Sequence, residues 1–428
     1  MNYKETTEYL FNVTPVFEKI GAGAYKEGLA NSLALDEHFG HPHRRFKSIH
    51  IAGTNGKGSC SHTIAAILQA AGYKVGLYTS PHLVDFRERI RVNGTCVSEQ
   101  YVIDFVEQER SFFEPLHPSF FELTTAMAFK YFAEQQVDYA VIEVGLGGRL
   151  DCTNIIQPVL SVITNISFDH TQFLGNTLEK IAYEKAGIIK QGIPVVIGET
   201  VDETKPVFED VARRMNAPIS FAEAFSMDMF TDEELRKQDF EDIDFEQKGL
   251  YQQKNKRTVL CAIHAIEDTI SSHASVPLHT AVSAGFANVC EQTGLVGRWQ
   301  TIRQAPLAIC DTGHNVGGWE YLAIQVAQQP CRQRRIVFGM VDDKDINAVL
   351  AMLPADAEYY WCKASTHRAI PETRISQLAE SHHLHGSSYG DVVTAYRQAL
   401  TDSHPDDFIF VGGSSYVVAD LLAGIENC

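Results

Sequence analysis

Ile49-His50-Ile51-Ala52-Gly53-Thr54-Asn55-Gly56-Lys57-Gly58-Ser59 is the stretch on which the reading of this chain turns. Ile49 to Ala52 is an apolar run that predicts the end of a buried strand. Thr63 to Ala71 has the apolar period of a helix. Between them stand three glycines, a lysine and a serine. Glycines let backbone N–H groups approach phosphate oxygens, and a helix N-terminus adds positive potential. In a phosphate loop of this kind, Lys57 reaches the terminal phosphates and the Ser59 hydroxyl reaches a magnesium ion. The spacing is G-x-x-G-K-G-S, with Gly58 inserted between the lysine and the serine of the commoner G-x-x-x-x-G-K-[ST] form. An ordinary strand-to-helix turn with an exposed lysine is the alternative.

The bulk numbers limit what such a loop can serve. A chain of 428 residues predicts two domains or three. Its 45% hydrophobic and 21% charged residues are those of a globular protein with sizeable cores. A net charge of −18 argues against nucleic acid or an anionic membrane as partner, because polyanions are repelled. The nine cysteines include no C-x-x-C pair and are odd in number, which suits reduced thiols in a cytoplasm. The N-terminus lacks the basic-then-apolar order of a signal peptide. No apolar run approaches the length of a membrane span.

Outward from the loop, residues 1–46 read as mostly helical, with a break at Gly21-Ala22-Gly23-Ala24-Tyr25. Val75–Tyr78 predicts a strand ending in Thr79-Ser80-Pro81-His82-Leu83, followed by Arg87, Arg89 and Arg91, a cluster beside the ligand loop or a solvated turn. Leu123–Phe132 reads as a helix and Tyr139–Val144 as a buried parallel strand carrying Glu143 near its carboxyl end. A buried carboxylate is costly unless it meets a cation. Ligands of open α/β sheets gather at the carboxyl ends of strands. Glu143 is therefore a magnesium candidate, with an arginine pair as the alternative.

Val159–Ile166 predicts another strand, with Asp169 and His170 beyond it at the same edge. Glu179–Lys190 predicts a helix and Ile193–Ile197 a strand. Residues 221–247 are rich in acids and read as a solvated hairpin or mobile loop. Helices are expected near 255–269 and 278–292, then a glycine-punctuated hinge from Thr293 to Trp299. A second α/β pattern follows, with strands at 307–311, 335–339, 358–361 and 408–411 and helices between them. Asp311-Thr312-Gly313-His314-Asn315 ends its first strand, as a ligand edge or as a turn with an asparagine helix cap.

Taken together, Gly53 to Ser59, Ser80-Pro81-His82-Leu83, Glu88 to Arg91, Phe121-Glu122, Glu143 to Asp151, Asp169-His170, Leu174-Gly175, Glu184 to Gly187, Gly297-Arg298 and Asp311 to Asn315 resemble the folylpolyglutamate synthase and dihydrofolate synthase family, related to the Mur ligases. The likeness runs nearly end to end. It departs at Cys152, at Thr312-Gly313 and at Gly412, where the family often carries other small residues.

The resemblance implies a two-domain, Mur-ligase-like α/β fold. An N-terminal P-loop NTPase domain with a parallel sheet would span 1–295, and a smaller Rossmann-like α/β domain would span 296–428. It implies ATP-dependent ligation of L-glutamate to dihydropteroate, to reduced (poly)glutamyl folates, or to both, through an acyl phosphate. It assigns catalysis to Lys57, Lys185, Glu143 and His314. ATP contacts fall to Asn55, Gly56, Lys57, Gly58, Ser59, Asn255, Arg298 and Asp311. Pterin contacts fall to Ser119, Phe120, Leu150 and Asp151, and up to two magnesium sites to Ser80, Glu143 and His170. Lys185 matches a lysine carbamylated in family members; an unmodified lysine on phosphate is the alternative. The expected protein is a cytoplasmic monomer acting on small molecules. A Mur-type ligase on a nucleotide sugar and a P-loop ATPase without ligase activity stay open as alternatives.

Overall fold

The computed structural model describes residues 1–13 and 28–425, so the predicted break at Gly21–Tyr25 lies outside the described residues. The chain divides into two compact units. One comprises Met1–Glu246 and Gln252–Leu295; the other comprises Gln247–Tyr251 and Val296–Cys428. The short segment Gln247–Tyr251 thus departs from a single cut near residue 295.

The first unit is built on β1 (Lys47–Ala52), β2 (Val75–Tyr78), β3 (Ile90–Val92), β4 (Thr95–Cys96), β5 (Tyr139–Glu143), β6 (Leu160–Ile163), β7 (Val195–Ile197) and β8 (Ile219–Phe221). Their order in the sheet is β4-β3-β2-β5-β1-β6-β7-β8. All pairings from β2 to β8 are parallel, and β3 and β4 add an antiparallel edge. The central strands are covered on both faces, which is why they read as continuous apolar runs rather than alternating ones.

Helix α1 (Lys57–Ala70) leaves the phosphate loop and is buried from Ser59 through Leu68. Its apolar surface is nearly all-round, which suits a helix enclosed by neighbours. Helix α2 (Phe120–Glu134) packs in the cluster around Leu123, Met127 and Phe132, while α3 (Leu178–Ala186) joins the cluster around Ile163 and Ile197. Helices α4 (Gln252–Ala265) and α5 (Leu278–Ala287) complete the layer against α1.

The second unit carries β9 (Gln300–Gln304), β10 (Leu307–Asp311), β11 (Arg334–Phe338), β12 (Ala357–Cys362), β13 (His385–Tyr389) and β14 (Phe408–Gly412) in the order β13-β12-β11-β14-β10-β9. Only β9 runs antiparallel. Its helices include α6 (Val316–Gln328) and α7 (Ser415–Ile425), around a core with Trp319 and Trp361.

Two expectations need correction. Residues 221–247 are not a solvated hairpin or loop. They form short helical turns, and Phe225, Met227, Phe230, Leu235, Ile243 and Phe245 are buried in the cluster that also holds α1. The acids face outward while the aromatics between them reach the core. The helix predicted to run from Glu179 to Lys190 stops at Ala186. Gly187 follows, where a Cβ would lie 2.3 Å from Arg149 Cα. Among the described residues, no helix is long and apolar enough to cross a membrane.

A close helix contact makes a prediction. At Gly285 of α5 a Cβ would lie 2.6 Å from the backbone nitrogen of Ile67. Gly285→Ala must push α5 off α1. The expected loss is about 1–3 kcal/mol of stability, read as a lower melting temperature. An unchanged melting temperature would refute the close packing.

Candidate active site

Four neighbouring parallel strands, β2, β5, β1 and β6, deliver the sequence-predicted residues of the first unit to one sheet edge. Ser80 lies two residues past β2, and Glu143 is the last residue of β5. The phosphate loop leaves β1, and Asp169-His170 follow β6.

The loop has its shape because nothing larger than glycine fits. Gly53 has φ +145 and Gly56 has φ +86. A Cβ at Gly53 would lie 1.8 Å from Thr164 Oγ1, and one at Gly56 would lie 2.4 Å from Asn255 Oδ1. The chain after β6 is stitched onto the loop. Asn165 carbonyl accepts from Thr54 N at 2.9 Å, and Asn165 Oδ1 accepts from Asn55 N at 2.8 Å. Thr164 Oγ1 donates to the Asn55 carbonyl at 2.5 Å. Ser59 Oγ accepts from Gln252 Nε2 at 3.0 Å.

Lys57 and Lys185 meet on one acceptor. Both ammonium groups donate to the Gly53 carbonyl, at 3.0 Å and 2.9 Å. Lys57 also donates to the Thr54 carbonyl at 3.0 Å. Burial, and then the charge of Lys57, bring the pKa of Lys185 down to about 7, against the opposing pull of Asp169 and Asp151.

Glu143 is 3% exposed. His170 adopts the left-handed conformation at φ 49, and its backbone N–H donates to Asp169 Oδ1 at 2.8 Å. The hydroxyls of Ser59 and Ser80, the Glu143 carboxylate and the His170 imidazole are donors at this edge. Magnesium takes few protein ligands and completes its shell with phosphate oxygens and water, so a sparse, oxygen-rich set fits such an ion. Among the described residues, no group of three or more His, Cys, Asp or Glu side chains is gathered as a metal cage.

The predicted pterin residues separate. Ser119 caps α2 in a capping box with Glu122. Phe120 is 4% exposed, stacked on Phe11 at 4.7 Å, with the Arg89 guanidinium 5.1 Å from its ring centre. Phe121, part of the Phe121-Glu122 motif but given no pterin contact by the resemblance, is the half-buried ring. It stacks on Tyr78 and abuts Gly145, where a Cβ would lie 2.3 Å from Phe121 Cε1. Leu150 is half-buried. The Asp151 carboxylate accepts from the backbone of Gly145, Leu146 and Thr153 and from the Thr153 hydroxyl, and burial raises its pKa. It thereby fixes the glycine turn after Glu143.

The arginine cluster is anchored locally. Arg87 pairs with Asp85 at 2.9 Å, Arg89 donates to His82 Nδ1 at 2.7 Å, and Arg91 donates to the carbonyls of Glu88 and Gly94.

In the second unit, Asp311 ends β10 and is 2% exposed. It accepts from Tyr251 Oη at 2.6 Å, Trp299 N at 2.7 Å and Gly313 N at 2.8 Å, and burial raises its pKa. Arg298 donates to the Thr312 hydroxyl, and His314 Nδ1 lies 3.0 Å from the Thr312 carbonyl. Arg298, Asp311 and His314 are thus gathered around the β10 turn. Asn315 does cap α6, accepting from Gly318 N at 2.9 Å. Sequence reasoning missed Thr164, Asn165, Tyr251 and Gln252. No local motif marks them; they act by reaching a glycine turn or a carboxylate elsewhere in their own unit.

Comparison with known proteins places the fold. The Mur ligase middle domain model matches residues 51–249, and the Mur ligase glutamate ligase domain model matches residues 297–415. The dihydrofolate synthase/folylpolyglutamate synthase of Bacillus subtilis is 33% identical over 92% of this chain and 94% of its own length. The structure of E. coli FolC in complex with DHPP and ADP superposes with a TM-score of 0.83 at 29% identity, covering 100% of this chain and 98% of that one. The bifunctional folylpolyglutamate synthase/dihydrofolate synthase of Yersinia pestis, complexed with AMPPNP and Mn ion, gives a TM-score of 0.82 at 29% identity over the same shares of the two chains. The chain belongs to the dihydrofolate synthase/folylpolyglutamate synthase family.

The stitched loop is testable by an isosteric change. Thr164→Val removes the hydroxyl under Asn55 while keeping volume. The expected cost is about 1 kcal/mol of ADP affinity, about fivefold by calorimetry, with the fold retained. Unchanged affinity would mean that the loop holds its shape without that bond.

Proposed function

We propose that this enzyme ligates L-glutamate to dihydropteroate, to reduced (poly)glutamyl folates, or to both, at the expense of ATP. The observation that carries the reading is the phosphate loop flanked at one sheet edge by Ser80, Glu143 and His170. The end-to-end match to enzymes of that name favours it over a nucleotide-sugar ligase or a bare ATPase.

The reaction balances in two steps. An acceptor carboxylate oxygen attacks the γ-phosphorus of ATP, the bond to ADP breaks, and an acyl phosphate forms. The glutamate amine then attacks the acyl carbon, phosphate leaves with the bridging oxygen, and the amine loses a proton. Phosphoryl transfer needs positioning and charge neutralisation more than covalent help. Lys57 and the amides of Gly56, Gly58 and Ser59 would hold the β/γ-phosphates, while Asn55, whose amide is taken by Asn165 Oδ1, would contact the nucleotide through its side chain. Ser59, Ser80, Glu143 and His170 would hold magnesium, which supplies charge neutralisation at the phosphate oxygens. Asn255, Arg298 and Asp311 are assigned to ATP, and His314 to the glutamate or acyl phosphate. Leu150, Asp151 and Ser119 are assigned to the pterin. Of the two rings, Phe121 is partly exposed and Phe120 is buried, so the heterocycle is assigned to Phe121 rather than to Phe120. A monomer in the cytoplasm completes the proposal.

Lys185 is assigned a carbamate. A lysine whose pKa is brought down to about 7 holds a neutral amine at physiological pH. The nitrogen lone pair adds to the carbon of CO2 and the amine releases a proton. The pKa is lowered, so the reactive amine is present above about pH 7 and disappears as the pH falls below it. Protein exchanged into 13C-bicarbonate should show a carbamate resonance that fades below that pH and is absent in Lys185→Gln. A resonance indifferent to the substitution would refute the assignment.

The function itself is tested by ADP release with ATP, magnesium and L-glutamate. The acceptors compared are dihydropteroate, a reduced folate and none. Stimulation by either acceptor is expected, and stimulation by both would make the enzyme bifunctional. Release indifferent to acceptor and glutamate would overturn the ligase reading. Glu143→Ala should abolish the stimulated rate with the melting temperature retained, because it removes a ligand and little core volume.

A further inference from the structure

A closed ring of polar side chains ties the phosphate loop to α4. Gln252, Asn255, Ser59 and Cys60 are all buried, with Gln252 and Cys60 at 0% exposure. The Cys60 thiol points at Asn255 Oδ1, 3.8 Å away. Asn255 Nδ2 donates to Gln252 Oε1 at 2.8 Å, and Gln252 Nε2 donates to Ser59 Oγ at 3.0 Å. Ser59 and Cys60 are consecutive, so the ring closes through one peptide bond.

The ring has one direction. Asn255 presents Oδ1 to the Cys60 thiol and Nδ2 to Gln252, the arrangement in which the thiol donates to an oxygen. Gln252 must then offer its oxygen to Asn255 and its N–H to Ser59. A serine hydroxyl has two lone pairs and one proton. Gln252 takes one lone pair, which leaves the other lone pair and the proton of Ser59 for whatever enters the loop.

We propose that Gln252 is a positioning residue for the nucleotide, acting through Ser59: its amide aims the Ser59 hydroxyl at the metal–phosphate group. This rests on the reading that a nucleotide and a divalent cation bind at the loop, and it deepens that reading. Ser59 is the hydroxyl that carries the contact. Gln252 touches neither metal nor phosphate, and it rotates the hydroxyl so that no reorientation is needed on binding. Pre-set dipoles of this kind avoid a reorganisation cost on binding. The same ring holds Asn255 Oδ1 against Gly56, where a Cβ would lie 2.4 Å away, so the bend of the loop and the aim of the hydroxyl have one common support.

The test is a double-mutant cycle on ADP binding, measured calorimetrically with and without magnesium in the full chain. Gln252→Met removes both amide bonds at similar size. Gln252→Glu keeps the size and the bond from Asn255 but cannot donate to Ser59. Each is made in the wild type and in Ser59→Ala. With magnesium, Gln252→Met should weaken ADP about tenfold in the wild type and less than about twofold in Ser59→Ala, the difference expected for one neutral hydrogen bond. Gln252→Glu should likewise weaken ADP more in the wild type than in Ser59→Ala, because its carboxylate accepts the Ser59 proton and turns the hydroxyl away from the nucleotide. It decides the matter if Gln252→Met does not fold. Equal losses in the two backgrounds would mean that Gln252 only shapes the pocket, and no loss would mean that it does nothing for binding; either overturns the proposal. Failure of the wild type to bind ADP would instead remove the nucleotide reading and the proposal with it.

Discussion

The backbone at Gly53 and Gly56 approaches its neighbours more closely than any side chain permits, and the first unit is arranged around that approach. Thr164 comes from the end of β6 and Asn255 from α4, and each fills the space where a Cβ would stand. The loop is therefore held from two sides before any ligand arrives. Its carbonyls at Gly53, Thr54 and Asn55 are engaged by Lys57, Lys185 and Thr164. A loop fixed this way presents its amides in one direction, which is what a phosphate needs. The same constraint explains why β1, β5 and β6 must be short, apolar and buried: they bring three turns to one edge.

Charge is concentrated against the trend of the whole chain. The protein carries −18, yet two lysines share one carbonyl oxygen beside the loop. Burial first, and then the second ammonium group beside it, lowers the affinity of Lys185 for its proton. The nearby Asp151 and Asp169 offset only part of that effect. In the second unit the balance is reversed. Asp311 is buried, and a tyrosine hydroxyl and two backbone amides stabilise it. Both units thus keep a titratable group under strain at the carboxyl edge of a parallel sheet, where α/β proteins place their ligands.

Much of this was legible in the chain. Strands β2, β5 and β10 fell almost where apolar runs predicted, because buried parallel strands show continuous apolar stretches. The glycine loop announced itself, since the backbone geometry admits few alternatives. Edge strands β9 and β13 were not legible: Gln300–Gln304 and His385–Tyr389 are polar, exposed and without an apolar signature. The stretch 221–247 was misread because acids were weighed and the interleaved Phe225, Phe230 and Phe245 were not. At the site, Lys57, Ser59 and Glu143 follow from local pattern. No local pattern marks Lys185, which the resemblance alone named; its burial beside Lys57 supplies the physical reason. Phe120 and Phe121 differ for a reason no sequence shows: the turn into α2 sends one ring to the core and the other to Gly145. Gln252 and Tyr251 act across long stretches of chain, and their partners had to be seen in space.

The central claim is that glutamate is joined through an acyl phosphate, and oxygen transfer tests it most directly. The acceptor is prepared with 18O in both carboxylate oxygens and turned over with ATP, magnesium and L-glutamate. The account predicts one labelled oxygen in the inorganic phosphate and one in the new amide for each turnover. Phosphate free of label, with the departing acceptor oxygen released as water instead, would contradict it.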